Sequence, residues 1–250
     1  MKLKYSNSKW EKEKKDAIIY DGINSTLKNI YTLVEAYHTS NSNSFIQVND
    51  KITLFYLLGD EYKTLANYEY LINEDSAKSF EYLSISLRLF CQSYSLFKNG
   101  DLILNESVKK TIESDEFLND IALTAIAVNQ YPLVSNYLSG HIIDSLYKGN
   151  IGESKRLIEK LNYTKDESNE VYFTDICFLK DIIMALCDGD NTRFTNELVL
   201  RIKKYRHNMI GYSTIIDIAS IAILKISKRM GYDISIKAIE IPTYFIDIDS

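Results

Sequence analysis

The sequence of 250 residues contains only two prolines and nine glycines. Because these residues interrupt helices and supply many of the turns of β-sandwiches, their scarcity argues against a loop-rich β fold and for long helices. A chain of this length buries about 70 to 75% of the surface of its unfolded form, so it needs no metal or disulfide to fold. We therefore expect an all-α protein in one domain, residues 1–250, with a sub-boundary near 98–113 as an alternative.

Cysteine is also scarce, and the three that occur do not form a C-x-x-C motif. Cys91, Cys177 and Cys187 each lie in an apolar helical stretch, which is typical of buried thiols in a reducing compartment. Residues 1–16 are rich in Lys and Glu and contain no apolar run of signal-peptide length, and the most apolar helix contains charged residues. The sequence predicts a cytoplasmic protein with neither a cleaved signal nor a membrane span.

Catalytic motifs are absent from the sequence. Only His38, His141 and His207 could provide imidazole chemistry, and there is no zinc-spaced cysteine pair, glycine-rich phosphate loop or nucleophile elbow. The net charge of −5 disfavours binding to nucleic acid, and the basic run 201–207 lies where a helix dipole favours cations. We predict no enzyme, cofactor or metal, although an acid and a base from separate helices remain open.

Apolar residues recur at helical spacing along most of the chain, and the helix 213–230 is the most apolar. We expect Thr214 and Asp217 to form a capping box at its start and Gly231 to end it. Ser114 is expected to cap another helix, and residues 45–70 favour a helix over a strand. The predicted helices are 10–37, 45–70, 76–97, 191–207 and 213–230.

A repeat of about forty residues follows residue 140. Gly149-Asn150 and Gly189-Asp190 each separate two helical stretches, and Ile142 and Leu146 recur as Ile182 and Leu186. This pattern predicts stacked helical hairpins, arranged as an α-α superhelix or a compact relative of it. Residues 234–248 alternate β-branched, charged and aromatic residues around a proline, which predicts a short extended C-terminal tail.

The C-terminal third resembles immunity protein family 49 of bacterial polymorphic toxin systems, mainly over residues 176–245. The residues that carry this resemblance are Phe194, Leu198, Lys203, Arg206, His207, Gly211, Asp217, Ala219, Ala222, Gly231, Pro242 and Tyr244. The resemblance implies a helical antitoxin, encoded beside a toxin, that neutralises this partner by binding it. It supplies no catalytic residues. The alternative is a helical-repeat adaptor that binds a peptide in a concave groove.

The loop before the second hairpin is the predicted partner-binding edge. It contains Tyr163, Asp166, Glu167 and Glu170, which together are acidic and aromatic. Many toxin domains act on nucleic acids and are basic, so such an edge would attract the partner electrostatically. An ordinary solvated loop, with Glu170 near a helix N-terminus, is the alternative.

Overall fold

The computed structural model describes residues 23–39, 50–160, 176–208 and 215–248, together with Asp16. These residues form α-helices and no β-strand, which confirms the all-α fold. None of the described helices is long and apolar enough to cross a membrane. The helices are α1 (Ile23–Thr39), α2 (Lys51–Leu71), α3 (Ser76–Lys98), α4 (Glu106–Ile112), α5 (Asp115–Ala127), α6 (Ile142–Tyr147), α7 (Ile151–Glu159), α8 (Ile176–Asp188), α9 (Asn191–Asn208), α10 (Ile218–Arg229) and α11 (Thr243–Asp247), with a 3-10 turn at Tyr131–Leu133.

The described residues form two compact units. The N-terminal unit contains those up to Phe117 together with Ile215, and the C-terminal unit contains those from Leu118 to Asn208 and from Ile216 onwards. The boundary between the two units therefore lies within α5, after its first turn. Ser114 caps this helix, because its hydroxyl oxygen accepts a hydrogen bond from the Phe117 amide at 3.2 Å, as the sequence predicts.

Helices α2 and α3 form the core of the N-terminal unit. The hydroxyl of Ser86 donates to the carbonyl of Gly59 at 2.6 Å, and that of Ser93 donates to the carbonyl of Ile52 at 2.9 Å. A Cβ atom on Gly59 would lie 2.7 Å from the ring of Phe90, so glycine allows the two helices to approach closely. The prediction of a helix rather than a strand for most of 45–70 is confirmed.

Helix α1 packs on α2 with only part of the apolar face that the sequence predicts. The sequence predicts an apolar stripe made of Ile19, Ile23, Leu27, Ile30, Leu33 and Val34. Leu33 is buried against the α2 leucines Leu54 and Leu58, and Ile30 is partly buried there, whereas Leu27 and Val34 remain exposed. The stripe was predicted too wide, because its members extend beyond the side of the helix that α2 covers.

The predicted repeat is present in the C-terminal unit as two helical hairpins, α6 with α7 and α8 with α9. Gly149 and Gly189 have φ angles of 75° and 74°, which is the left-handed conformation that glycine adopts without strain. The amide after each glycine donates to the carbonyl five residues earlier. Both turns are therefore Schellman motifs, which satisfy carbonyl groups at the helix ends.

Helix α10 begins later than the sequence predicts. Asp217 is its N-cap, accepting hydrogen bonds from the amide of Ser220 at 3.1 Å and from its hydroxyl at 2.6 Å, so the prediction of a capping box begun by Thr214 is wrong. Gly231 ends the helix at a φ of 87°, as predicted. Residues Ala219 to Ser227 are all buried, which confirms that other elements surround this helix. The tail is extended only in part, because Thr243–Asp247 forms α11.

Candidate protein-binding site

The partner-binding residues that the sequence predicts, Tyr163, Asp166, Glu167 and Glu170, lie outside the described residues. Their role therefore stays a prediction. Among the residues that the structure does describe, no group of three or more His, Cys, Asp or Glu side chains could hold a metal ion.

The thiols of Cys91 and Cys187 are not activated nucleophiles. Burial raises the pKa of the Cys91 thiol to about 12 and that of the Cys187 thiol to about 11. A nucleophilic cysteine needs a lowered pKa, so both side chains remain protonated thiols near neutral pH. Cys187 is buried, as the sequence predicts, whereas Cys91 is only partly buried.

Two ion pairs lie in the interior of the C-terminal unit. Nη2 of Arg201 lies 3.0 Å from Oδ1 of Asp217, and Arg206 contacts Glu240 through two nitrogens. All four side chains are 6% exposed or less. The helical spacing of Phe194, Leu198, Ile202 and Tyr205 predicts that both arginines lie off the buried face of α9, and their burial shows that this prediction is wrong. Their carboxylate partners come from distant parts of the chain and make their burial tolerable.

A tyrosine completes this interior polar group. The hydroxyl of Tyr205 donates to the carbonyl of Ile216 at 2.9 Å, and burial raises the pKa of this hydroxyl well above its usual value. It therefore remains a donor. The amide of Asp217 also donates to the carbonyl of Glu240 at 2.9 Å. Arg206 and Asp217, which contribute to the family resemblance, thus hold α9, the start of α10 and the tail together and face inward.

The most exposed large apolar side chain among those described is Leu102, which lies in the segment between α3 and α4. We name residues 101–105 the leucine loop. Leu102 is 72% exposed and Leu104 is 52% exposed, while Ile103 between them is partly buried. Exposing two large apolar side chains to water is unfavourable, and their burial by a partner would release that free energy.

Hydrogen bonds hold the backbone of the leucine loop at both ends. The amide of Asp101 donates to the carbonyl of Leu96 at 3.1 Å, and that of Leu104 donates to Oδ2 of Asp50 at 3.0 Å. At the far end, the side chain of Asn105 caps α4 by accepting two backbone amides. The loop is consequently ordered before any partner arrives, which reduces the entropic cost of binding.

Acidic side chains surround the leucine loop in the sequence. Residues 101–116 contain five carboxylates and two lysines, which gives a net charge of −3. Three of the carboxylates lie in the first turns of α4 and α5, where they also complement the helix dipoles. All five are exposed and produce a negative potential that attracts a basic surface. They are Asp101, Glu106, Glu113, Asp115 and Glu116.

Residues 101–116 are suited to binding a protein partner. They contain no His or Cys for proton transfer or nucleophilic attack. The sequence patterns above do not indicate this segment as a binding site, although a signal is present. Two leucines separated by one residue lie between a helix-ending Asn99-Gly100 and the cap residue Asn105. The pattern of Leu-Ile-Leu suggests a buried strand, and only the structure shows that two of its three side chains face solvent.

The fold and this segment define an all-α protein with an ordered, exposed apolar loop in an acidic setting. No protein-family model matches the sequence, and neither a curated protein nor a solved structure matches it.

Proposed function

We propose that this protein is an immunity protein that binds a cognate bacterial toxin stoichiometrically and occludes its active site or substrate channel. The observation that carries the proposal is the leucine loop, which combines exposed apolar side chains, an ordered backbone and acidic neighbours. The resemblance of residues 176–245 to an immunity family supports the same class. The partner is a toxin encoded by the neighbouring gene, and neither nucleic acid nor a membrane is involved.

Stoichiometric inhibition requires only a tight interface. Interfaces of standard size bury about 800 Å² on each partner, and a few central side chains contribute most of the affinity. In this arrangement Leu102 and Leu104 provide the apolar centre, and the carboxylates provide the polar rim. The carboxylates also accelerate encounter with a basic toxin, because electrostatic attraction raises the association rate at low salt.

The test is co-expression with the product of the adjacent reading frame. The double variant Leu102→Ser/Leu104→Ser should lose protection and bind the toxin at least about tenfold more weakly, as expected when central apolar contacts are removed. Leu133→Ser and Leu200→Ser are matched controls, since these leucines are 46% and 45% exposed elsewhere in the chain. Both controls should protect fully, and all variants should unfold at the temperature of the parent.

Two outcomes would contradict the proposal. The first is a neighbouring reading frame whose product is harmless to unprotected cells. The second is full protection by the double serine variant with unchanged affinity, which would remove the leucine loop from the interface. Reversal of Asp166, Glu167 and Glu170 to Lys then tests the loop predicted from sequence. If only this triple lysine variant associated more slowly with the toxin, the contact would lie in the loop that contains these three residues.

A helical-repeat adaptor is the second candidate, favoured by the recurrence of the Schellman turn at Gly149 and Gly189. Such adaptors bind an extended peptide along stacked hairpins. An adaptor would bind its peptide without any toxic neighbour. Protection of toxin-expressing cells at a one-to-one ratio therefore separates the two functions.

A further inference from the structure

Helix α1 presents an apolar stripe that is exposed to solvent. Its members, Leu27, Tyr31 and Val34, are 48%, 68% and 38% exposed. Their spacing of four and three residues places them on one side of the helix. The side that packs on α2 contains Leu33, and Asn29, whose amide nitrogen donates to Oε1 of Glu61 at 3.0 Å. We name the three exposed side chains the α1 stripe.

Two opposite charges lie along one edge of the α1 stripe. Lys28 and Glu35 are both exposed and lie seven residues apart. Seven residues make about two helical turns, so the two side chains lie on the same edge of the stripe, one near each end. A helix with this arrangement is complementary to a reversed copy of itself.

We propose that the α1 stripe is a self-association surface on which α1 of a second copy packs antiparallel. A two-fold axis perpendicular to both helices reverses the direction of the chain but keeps the charged edges on the same side. When the axis passes between Tyr31 and Thr32, Lys28 of each copy lies level with Glu35 of the other. The dimer then contains two identical interhelical ion pairs.

The same register also packs the apolar side chains. With a rise of about 1.5 Å per residue, Val34 of the second copy lies about 3 Å along the axis from both Leu27 and Tyr31. The side chains of the two stripes therefore alternate. The two Tyr31 rings meet beside the axis, where aromatic pairs add to the energy of burial. The same register thus pairs the opposite charges and interdigitates the apolar side chains. A partner of arbitrary sequence would not meet both conditions.

The size of the α1 stripe limits the strength of this dimer. Three side chains bury much less than the roughly 800 Å² per partner of a standard interface, so the dimer should be weak and in rapid exchange. A dissociation constant on the order of 10 to 100 μM is expected. This inference does not depend on toxin binding, because α1 and the leucine loop are separate segments with separate variants.

Sedimentation equilibrium of the full chain up to about 500 μM, several times the expected dissociation constant, tests the proposal. Lys28→Glu and Glu35→Lys should each weaken the dimer about tenfold, since each creates two like-charge pairs. The double variant Lys28→Glu/Glu35→Lys restores both pairs in reversed orientation and should recover the affinity of the parent. Tyr31→Ser should leave a monomer, and Leu102→Ser, which alters another exposed apolar residue, should dimerise normally.

Three results would overturn the proposal. A parent protein that remains monomeric throughout this concentration range excludes the dimer. A double charge variant no stronger than the single variants excludes the antiparallel register. Dimerisation lost in Leu102→Ser but kept in Tyr31→Ser would assign self-association to the leucine loop. Circular dichroism of each variant verifies that the exposed substitutions leave the helices intact.

Discussion

Arg206 and Glu240 form a two-pronged ion pair in the interior, although they are 34 residues apart in the chain. The two side chains are only 4% and 1% exposed. Arg156 and Glu153 make the same kind of pair on the surface of α7, where they are 53% and 38% exposed. The protein thus contains the same Arg–Glu geometry once in its interior and once on its surface. The difference in burial determines what each ion pair contributes to stability.

Removal of one partner should therefore have very different effects in the two pairs. Glu240→Ala leaves a buried guanidinium without its carboxylate and should lower the free energy of unfolding by about 3 to 5 kcal/mol. Glu153→Ala removes a solvated pair and should lower the free energy of unfolding far less, because water screens the two charges. Urea unfolding of the two variants measures both quantities.

The double variant Arg206→Met/Glu240→Leu separates the cost of an orphaned charge from the value of the pair. Replacing both ions by apolar side chains of similar volume should recover most of the lost stability. A double variant as unstable as Glu240→Ala would show that the pair itself, rather than the stranded charge, stabilises the fold.

Two glycines in one hairpin should respond in opposite directions to alanine. Gly149 has a φ of 75°, so Gly149→Ala should destabilise the protein by about 1 kcal/mol, because alanine tolerates this conformation poorly. Gly152 lies in the first turn of α7 with open space where a Cβ would be, so Gly152→Ala should stabilise the protein by about 0.5 to 1 kcal/mol. Thermal unfolding compares the variants. Equal signs for the two changes would contradict the turn geometry.

The buried Lys225 should make stability rise in mildly alkaline solution. Its ammonium group donates to the carbonyl of Ala127 at 2.8 Å, and burial lowers its pKa from 10.5 to about 8. Between these two values the unfolded chain holds a proton that the folded chain has released, so the free energy of unfolding increases with pH there. Below about pH 8 both forms are protonated, so the pH dependence due to this group ends and the folded protein bears the full cost of the buried charge.

Lys225→Met provides the control for this effect. The difference in unfolding free energy between parent and variant should grow from pH 8 to pH 10 and should be flat from pH 6 to pH 7. Urea titrations at each pH measure it, and subtraction cancels the other titrating groups. A difference that falls above pH 8 would contradict the lowered pKa.

The three histidines should be dispensable. His141 occupies the N-cap position of α6 but makes no capping hydrogen bond with its side chain. Because the sequence predicts binding without proton transfer, His38→Ala, His141→Ala and His207→Ala should each protect cells as the parent does. Loss of protection by a folded single variant would show that the replaced histidine has a chemical role that no sequence motif indicates.

Short-range features of the fold were predictable from the sequence. The turns at Gly149 and Gly189, the cap at Ser114 and the end of α10 at Gly231 all depend on residues within one or two helical turns. Glycine and small polar side chains have strong conformational preferences at such positions, whatever the rest of the chain does. Local sequence patterns were therefore sufficient to predict these turns, caps and helix ends.

Long-range features were not predictable. Burial of Arg201 and Arg206 depends on Asp217 and Glu240, and nothing in the sequence of α9 reveals carboxylates that arrive from elsewhere. The exposure of Leu27 depends in the same way on which side of α1 faces α2. The leucine loop was missed because apolar residues are assigned to the core by default, and exposure is a property of the assembled fold.

Asp50 connects the leucine loop to the start of a core helix. Its carboxylate caps α2, accepting hydrogen bonds from the amide of Thr53 at 2.7 Å and its hydroxyl at 2.9 Å, and also accepts the amide of Leu104 at 3.0 Å. A partner that immobilises Leu104 therefore also restrains the carboxylate on which the first turn of α2 depends. Hydrogen exchange of the Thr53 and Leu54 amides should slow on binding, even though neither residue belongs to the loop. Local opening at this helix end would thus report occupancy of a surface some fifty residues further along the chain.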